Sequence, residues 1–417
     1  MTAITPGHAR SEPTDARRYD LDWLRVIAFA ILIFYHVGMF YVSWDWHVKS
    51  VHAGPAAEWA MRLVSPWRLS LLFFISGVAL RFVADRTRPA RLAADRLSRL
   101  GLPILASVLF IVPPQSWLEL VEKGEFSGGL LAFWPSYLNP ASGYSIITPT
   151  YNHLWYVVYL MIYTVALAPA FPALSRWASG PGARLMAAAF AGRRGVVAAL
   201  IAPALPHVIF RVALDPHFPT THALVDDWAN HAHSLTMFLT GYILAKDPSF
   251  WSAIARGRWA ALGLAIGFAA VLTPVWSNWD ALFGNDGSYA ALAWPARIAR
   301  VLYAWLAIAA LLGLAQARLN RPGRALTYMT EAIFPWYILH QTLTVLAGYW
   351  LTRQGLGAGT EFALVALATI GGCAILHEVV IRRIGWLRPL FGLKPAHSPA
   401  SAARRASTRL RFTPMSE

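Results

Sequence analysis

A single cysteine, Cys373, in 417 residues excludes an internal disulfide and any cysteine-built zinc or iron–sulfur site. Charge is scarce too. Only 14% of the residues are Asp, Glu, Lys or Arg, against about a quarter in soluble domains, which argues against a soluble chain of this length. The opening stretch, MTAITPGHARSEPTDARR, lacks the apolar core of a signal peptide. No internal repeat and no separable soluble domain is visible. Acidic residues are the scarcer sign, 21 against 36 Lys and Arg, for a net charge of +15. That excess does not point to nucleic acid, because the basic residues fall at alternate ends of apolar runs, as membrane orientation requires.

What the chain has in plenty is apolar sequence: 57% of it is hydrophobic, in long runs between Val26 and Val380. Runs of about 20 residues suit membrane-spanning helices, whereas barrel strands need only about 10 alternating residues. The expected fold is therefore all-α, a polytopic helical bundle in the lipid bilayer with about ten transmembrane helices. They are expected at 23–43, 66–83, 100–120, 153–172, 195–213, 228–245, 259–277, 298–317, 330–351 and 362–381. The loops after the even-numbered spans are basic, with Arg86, Arg88 and Arg91, then Arg176 and Arg184, Lys246 and Arg256, and Arg318 and Arg321. The other loops are acidic or neutral, with Glu119, Glu122, Asp215, Asp226, Asp280 and Asp286. This alternation places both termini in the cytoplasm. Residues 1–19 and 393–417 read as disordered cytoplasmic tails around a membrane domain at 20–392. The longest outer loop, about 121–151, either covers a mouth and touches a polar substrate or simply connects two spans.

Within the first apolar run stand Arg25 and His36, eleven residues apart. That separation is three helical turns plus roughly 20°, so both lie on one face, about 16 Å apart along the axis. Ionisable groups inside a membrane usually face the bundle interior or a water-filled cavity, so this face should line something polar. Asp22, one turn earlier, can pair with Arg25. The plainer readings are an Arg25 that snorkels to the interface and a His36 bonded to a neighbouring helix carbonyl.

The Arg-x10-His spacing on a first span resembles the membrane acyltransferase-3 family. Further segments match in order: LSLLFFISGVALRF with its Phe-Phe-x-x-Ser-Gly; DRLSRLGLPILA with the Arg96 and Arg99 pair; HLWYVVYLMIYTV; and FPWYILHQT. RYDLDWLRVIAF, WANHAHSLTMFLTGYILA and TEAIFPWYILHQT look most similar to the branch that succinylates osmoregulated periplasmic glucans. One departure stands out. Where many family members carry acidic residues after the Trp of the fourth span, this chain has Leu160 and Met161, so a mechanism relying on a Glu there does not carry over.

The resemblance implies a membrane O-acyltransferase that moves an acyl group, succinyl in the narrower reading, from cytoplasmic acyl-CoA to hydroxyls of an extracytoplasmic glycan such as periplasmic glucan. The setting would be the bacterial inner membrane, with partner proteins of glucan synthesis. Acyl-CoA (succinyl-CoA or acetyl-CoA) would be a co-substrate, with no tightly bound cofactor and no metal. His36 would be the general base, since neutral imidazole can take a proton from an attacking hydroxyl. Arg25, Arg96 and Arg99 would bind the phosphates of coenzyme A through forked, charge-assisted hydrogen bonds, although Arg96 and Arg99 also fit plain positive-inside anchoring. Further candidates for the cavity or the substrate are His340, Tyr337, Asn230, His231, His153 and Trp155. For His153 and Trp155, placement in the interfacial aromatic belt is the simpler account. His231 and His233, two apart on a helix, do not share a face and are not a chelating pair. The competing activities are O-acetyl transfer to exopolysaccharide, lipopolysaccharide or another glycoside and, in a different class, a glycan or lipid transporter or flippase.

Overall fold

The computed structural model describes residues 17–284 and 289–395. The two expected tails lie almost wholly outside them, as does Asp286. Among the described residues the chain is all helix, without strands. The main elements are α1 (Tyr19–Met39), α2 (Pro55–Ala84), α3 (Pro89–Glu122), α4 (Asn152–Leu167), α5 (Phe171–Ser179), α6 (Gly192–Ala213), α7 (Trp228–Leu244), α8 (Pro248–Ser277), α9 (Ala290–Arg318), α10 (Arg324–Leu351) and α11 (Ala358–Ile381). Seven of them, α1, α2, α3, α6, α8, α9 and α11, are long and apolar enough to cross a membrane. Counting α4 and α5 together, which meet at 83°, makes eight.

Each expected span overlaps a helix, but seven or eight rather than ten qualify to cross a membrane: 153–172 runs across the bend between α4 and α5, and α7 and α10 differ from the rest. Helix α7 has only 17 residues. Helix α10, at 28 residues, carries Arg324, Glu331 and a buried polar run, His340, Gln341, Thr342 and Thr344. That run is turned inward rather than to lipid, which suits a helix lining a functional interior. Boundaries move as well: α8 begins at Pro248, well before 259, and α3 begins at Pro89 and relaxes to π-helical turns at Leu97–Gly101 and Ser107–Ile111. The 121–151 loop contains a short helix, Leu130–Tyr137.

Helix α1 lies among α2, α9 and α10. Its Phe29 packs edge-on against Tyr156 of α4 and Tyr337 of α10. Beside it, α2 and α7 touch backbone to backbone at Gly77 and Gly241. At the end of α2 the buried Arg81 holds Asp85 at 2.8 Å and Ser179 Oγ at 2.7 Å, and Lys246 reaches the same carboxylate at 3.0 Å. This clasp ties α2, α5 and the start of α8 together.

Candidate active site

His36 projects from α1 toward α10, where its Nδ1 lies 2.6 Å from Nε2 of His340. His340 is fully buried, and its own Nδ1 lies 2.7 Å from the carbonyl oxygen of Tyr337, one turn earlier. A carbonyl can only accept, so His340 Nδ1 carries the proton and Nε2 is its lone pair. Nε2 in turn accepts from His36, which fixes the Nδ1–H tautomer on His36. The remaining nitrogen, His36 Nε2, is left as a basic lone pair beside a cavity. The geometry is that of a base held by a second group that is itself held by a third.

That cavity has a volume of about 650 Å³. Its walls include His36, His153, Trp155, Tyr156, Tyr337 and Arg68, and residues 146–152 of the long loop after α3 close one side. His153 is buried. Its Nε2 donates to the Ile338 carbonyl at 3.1 Å, and its Nδ1 has no partner. The Tyr337 hydroxyl is bonded to the His153 carbonyl, and Tyr337 packs beside His340. His47, just beyond α1, pairs with Glu119 through Nδ1. His47 Nε2 receives the amides of Gln341 at 2.9 Å and Asn152 at 3.2 Å. Its lone pair is therefore already used, unlike that of His36. Arg68 is only 8% exposed and lies over the Tyr35 ring at 3.4 Å. Its Nε and Nη1 have no hydrogen-bond partner, an arrangement that costs several kcal/mol unless an anion completes it. His222 stacks on Trp155 at the rim. Burial lowers its imidazole below the ordinary value, with Arg68 adding to the effect and Asp227 opposing it.

A narrower cavity, about 180 Å³, continues toward the opposite end of α1 and is lined by Arg25, Arg96, Ser76 and Leu160. Tyr156 lines both cavities, with its hydroxyl 2.7 Å from Ser76 Oγ. The Arg25–His36 face of α1 thus borders two spaces that share Tyr156 as a wall, with cations at one end and imidazoles at the other. Arg25 is paired with Asp22. Arg96 faces the narrow cavity, while Arg99, in the π-helical turn, is exposed and does not line it. Among the described residues no three His, Cys, Asp or Glu side chains are grouped to hold a metal ion.

Residues 18–378 match the acyltransferase domain of the acyltransferase-3 family, nearly the whole chain. The chain belongs to the acyltransferase-3 family. It is an O-acyltransferase with several membrane-crossing helices. Relatives named Glucans biosynthesis protein C, from Salmonella schwarzengrund (strain CVM19633), Salmonella agona (strain SL483) and Salmonella heidelberg (strain SL476), are each 24% identical to it. Each alignment spans 402 residues, 93% of this chain and 97% of the relative. No solved structure matches the chain significantly.

For this acyltransferase the structure groups His36, Tyr337, His153 and Trp155 around one space, with His340 buried behind His36 and with Arg25 and Arg96 at the second space. His153 and Trp155 line the cavity rather than a lipid-facing belt. Asn230 lines a different cavity and bonds Asp227 at 2.7 Å. His231 stacks on Tyr159 and bonds the Tyr163 hydroxyl at 2.8 Å, away from His36. Leu160 lines the narrow cavity, while Met161 does not. His47, Glu119, Gln341, Asn152 and Arg68 escaped the reading of sequence. A signal existed for Arg68, which stands at a span end whose loop is otherwise not basic.

Proposed function

We propose that the protein transfers a succinyl group from succinyl-CoA to a hydroxyl of a glucan, with His36 as general base, in the bacterial inner membrane. The observation that carries this reading is the free Nε2 of His36, facing a cavity that shares the wall residue Tyr156 with the Arg25–Arg96 space. Coenzyme A enters at the arginine end, which the charge of the loops assigns to the cytoplasm. Its phosphates meet Arg96 and Arg25, and the pantetheine arm passes Tyr156. The glucan approaches from the end closed by residues 146–152. The name of the relatives, Glucans biosynthesis protein C, supports a glucan acceptor.

The step balances within the residues on hand. His36 Nε2 takes the proton of the attacking hydroxyl, and the oxygen adds to the thioester carbonyl. The new C–O ester bond forms, the C–S bond breaks, and the departing thiolate recovers the proton from imidazolium. His340 and the Tyr337 carbonyl hold the ring throughout and favour the proton-bearing form. Arg68 in the same cavity, with its Nε and Nη1 unpartnered, supports an acyl chain that ends in a carboxylate.

Two measurements probe the donor. Arg96→Ala should weaken binding of succinyl-CoA by about 10–100-fold, the worth of one charged hydrogen bond of about 1.5–3 kcal/mol. With succinyl-pantetheine, which lacks the nucleotide phosphates, the loss should nearly vanish; an equal loss with both donors assigns Arg96 to folding or orientation instead. Arg68→Gln should lower transfer from succinyl-CoA relative to acetyl-CoA by about tenfold or more, on the same scale. A parallel fall with both donors rules out carboxylate recognition and points to a role at the thioester carbonyl or in packing.

A further inference from the structure

A second cavity of about 630 Å³ adjoins the first, and Tyr35, Arg68, Leu69, Trp155 and His222 line both. Its charges do not balance. Beyond Arg68 it contains Arg211, Arg297 and Arg300 against one carboxylate, Asp215. Arg211 is ion-paired with Asp215, which also receives His233 Nε2 at 3.2 Å. Arg297 lies over the Trp279 and Trp294 rings, at 5.7 and 4.8 Å, contacts that leave its charge in place. Arg300 has no hydrogen bond or ion pair among the described residues. Cations set inside a bundle without counter-charge are unfavourable by several kcal/mol and are usually found where an anion is bound.

An independent feature points to the same kind of ligand. A carboxylate only accepts, so His233 Nε2 carries the proton it donates to Asp215, and His233 Nδ1 is a lone pair. Nδ1 of His207 lies 2.9 Å from it, so His207 donates there and keeps its lone pair on Nε2. That Nε2 is buried without a partner, on a side chain 8% exposed in the wall of this cavity. It calls for a hydroxyl donor. Trp155, Trp276 and Trp279 supply flat aromatic walls, the surface on which sugar rings pack. Arginines for an anion, an acceptor for a hydroxyl and aromatic faces describe one ligand, a sugar with an anionic substituent.

We propose that this cavity is an acceptor subsite holding a phosphate- or carboxylate-bearing sugar of the glycan, while another hydroxyl of the same chain reaches His36 past Arg68 and Trp155. This inference rests on the acceptor reading above. It has a consequence for the course of the reaction: each succinyl transfer makes an anionic chain, so a partly modified glucan binds better than a fresh one.

The test is binding to the full-length protein in phosphatidylcholine nanodiscs, with no acyl donor and so no turnover. The probes are a neutral β-glucan oligosaccharide and its succinylated and phosphorylated forms. Both anionic forms should bind about tenfold tighter than the neutral parent, as a charge-assisted contact implies. Arg300→Gln should erase that preference, Arg300→Lys should restore part of it, and Arg297→Gln, should Arg300→Gln fail to fold, should reduce it in the same direction. Equal wild-type affinity for neutral and anionic forms overturns the proposal, as does an equal loss for all three in both Gln variants. Displacement of the anionic sugars by phosphatidylglycerol assigns the cavity to a lipid headgroup and overturns it as well. Tight, Arg300-dependent binding in a protein that transfers no acyl group would uphold the subsite while removing the proposed activity.

Discussion

His36→Ala should lower acyl transfer by about 10³-fold, within the range of about 10²–10⁴ that a positioned general base contributes, with undiminished folded protein in the membrane. The ring is replaceable structurally because its one hydrogen bond is to His340, which keeps its bond to the Tyr337 carbonyl. It is not replaceable chemically by its neighbours in the cavity: His47 Nε2 is occupied by the Gln341 and Asn152 amides, and His153, with its Nδ1 buried, is held by a single bond to a carbonyl. His340→Ala should cost less, about 10–100-fold, since it removes the group that fixes the His36 tautomer and not the base. The double variant should be no worse than His36→Ala alone, as expected for residues that act as one unit. Initial rates in membrane vesicles, normalised to folded protein, decide this. A near wild-type rate for His36→Ala would remove His36 as the base.

Gly77→Val should leave little folded protein. A Cβ at Gly77 would stand 1.9 Å from the Phe238 carbonyl oxygen, and one at Gly241 would stand 2.1 Å from that of Phe74. Both obstacles are backbone, so no rotamer relieves them. Helices α2 and α7 would have to separate, which would disturb the bond of Ser76 to Tyr156 between the cavities. Overpacking a well-packed contact usually costs about 1–3 kcal/mol and occasionally more, and membrane helices depend on such small residues for close approach. Even Gly77→Ala should lower the unfolding temperature in detergent, followed by fluorescence-detected size exclusion. Gly263→Ala and Gly267→Ala, where an added Cβ meets nothing within 4 Å, should not. A Gly77→Val protein as stable as wild type would mean that α2 and α7 do not meet in this way.

Much of the site was legible because helical spacing is local. The eleven-residue step from Arg25 to His36 places both on one face, and the structure puts a cavity beside each. The His36–His340 bond was not legible, since it joins residues 304 apart in sequence and depends on how α1 meets α10. His47 falls in the irregular stretch after α1, where no period points to a face. For His153 and Trp155, composition gave the belt reading, and only packing shows that they turn inward. Span counting found the seven long apolar helices and weakened at the bent pair α4 and α5 and at α7 and α10, which carry polar residues. The arginines of the second cavity carried an unread signal. Arg68, Arg211, Arg297 and Arg300 stand at span ends whose loops are acidic or neutral, against the orientation rule, and cations placed there call for another reason.

The central claim is transfer of an acyl group between opposite ends of the bundle through His36. Proteoliposomes of the purified protein, with labelled succinyl-CoA outside and glucan enclosed, test it most directly. Labelled succinyl ester should form on the enclosed glucan with wild-type protein and not with His36→Ala. Glucan that leaves the vesicles unmodified, or enclosed glucan that stays unlabelled while the donor remains intact, would contradict it.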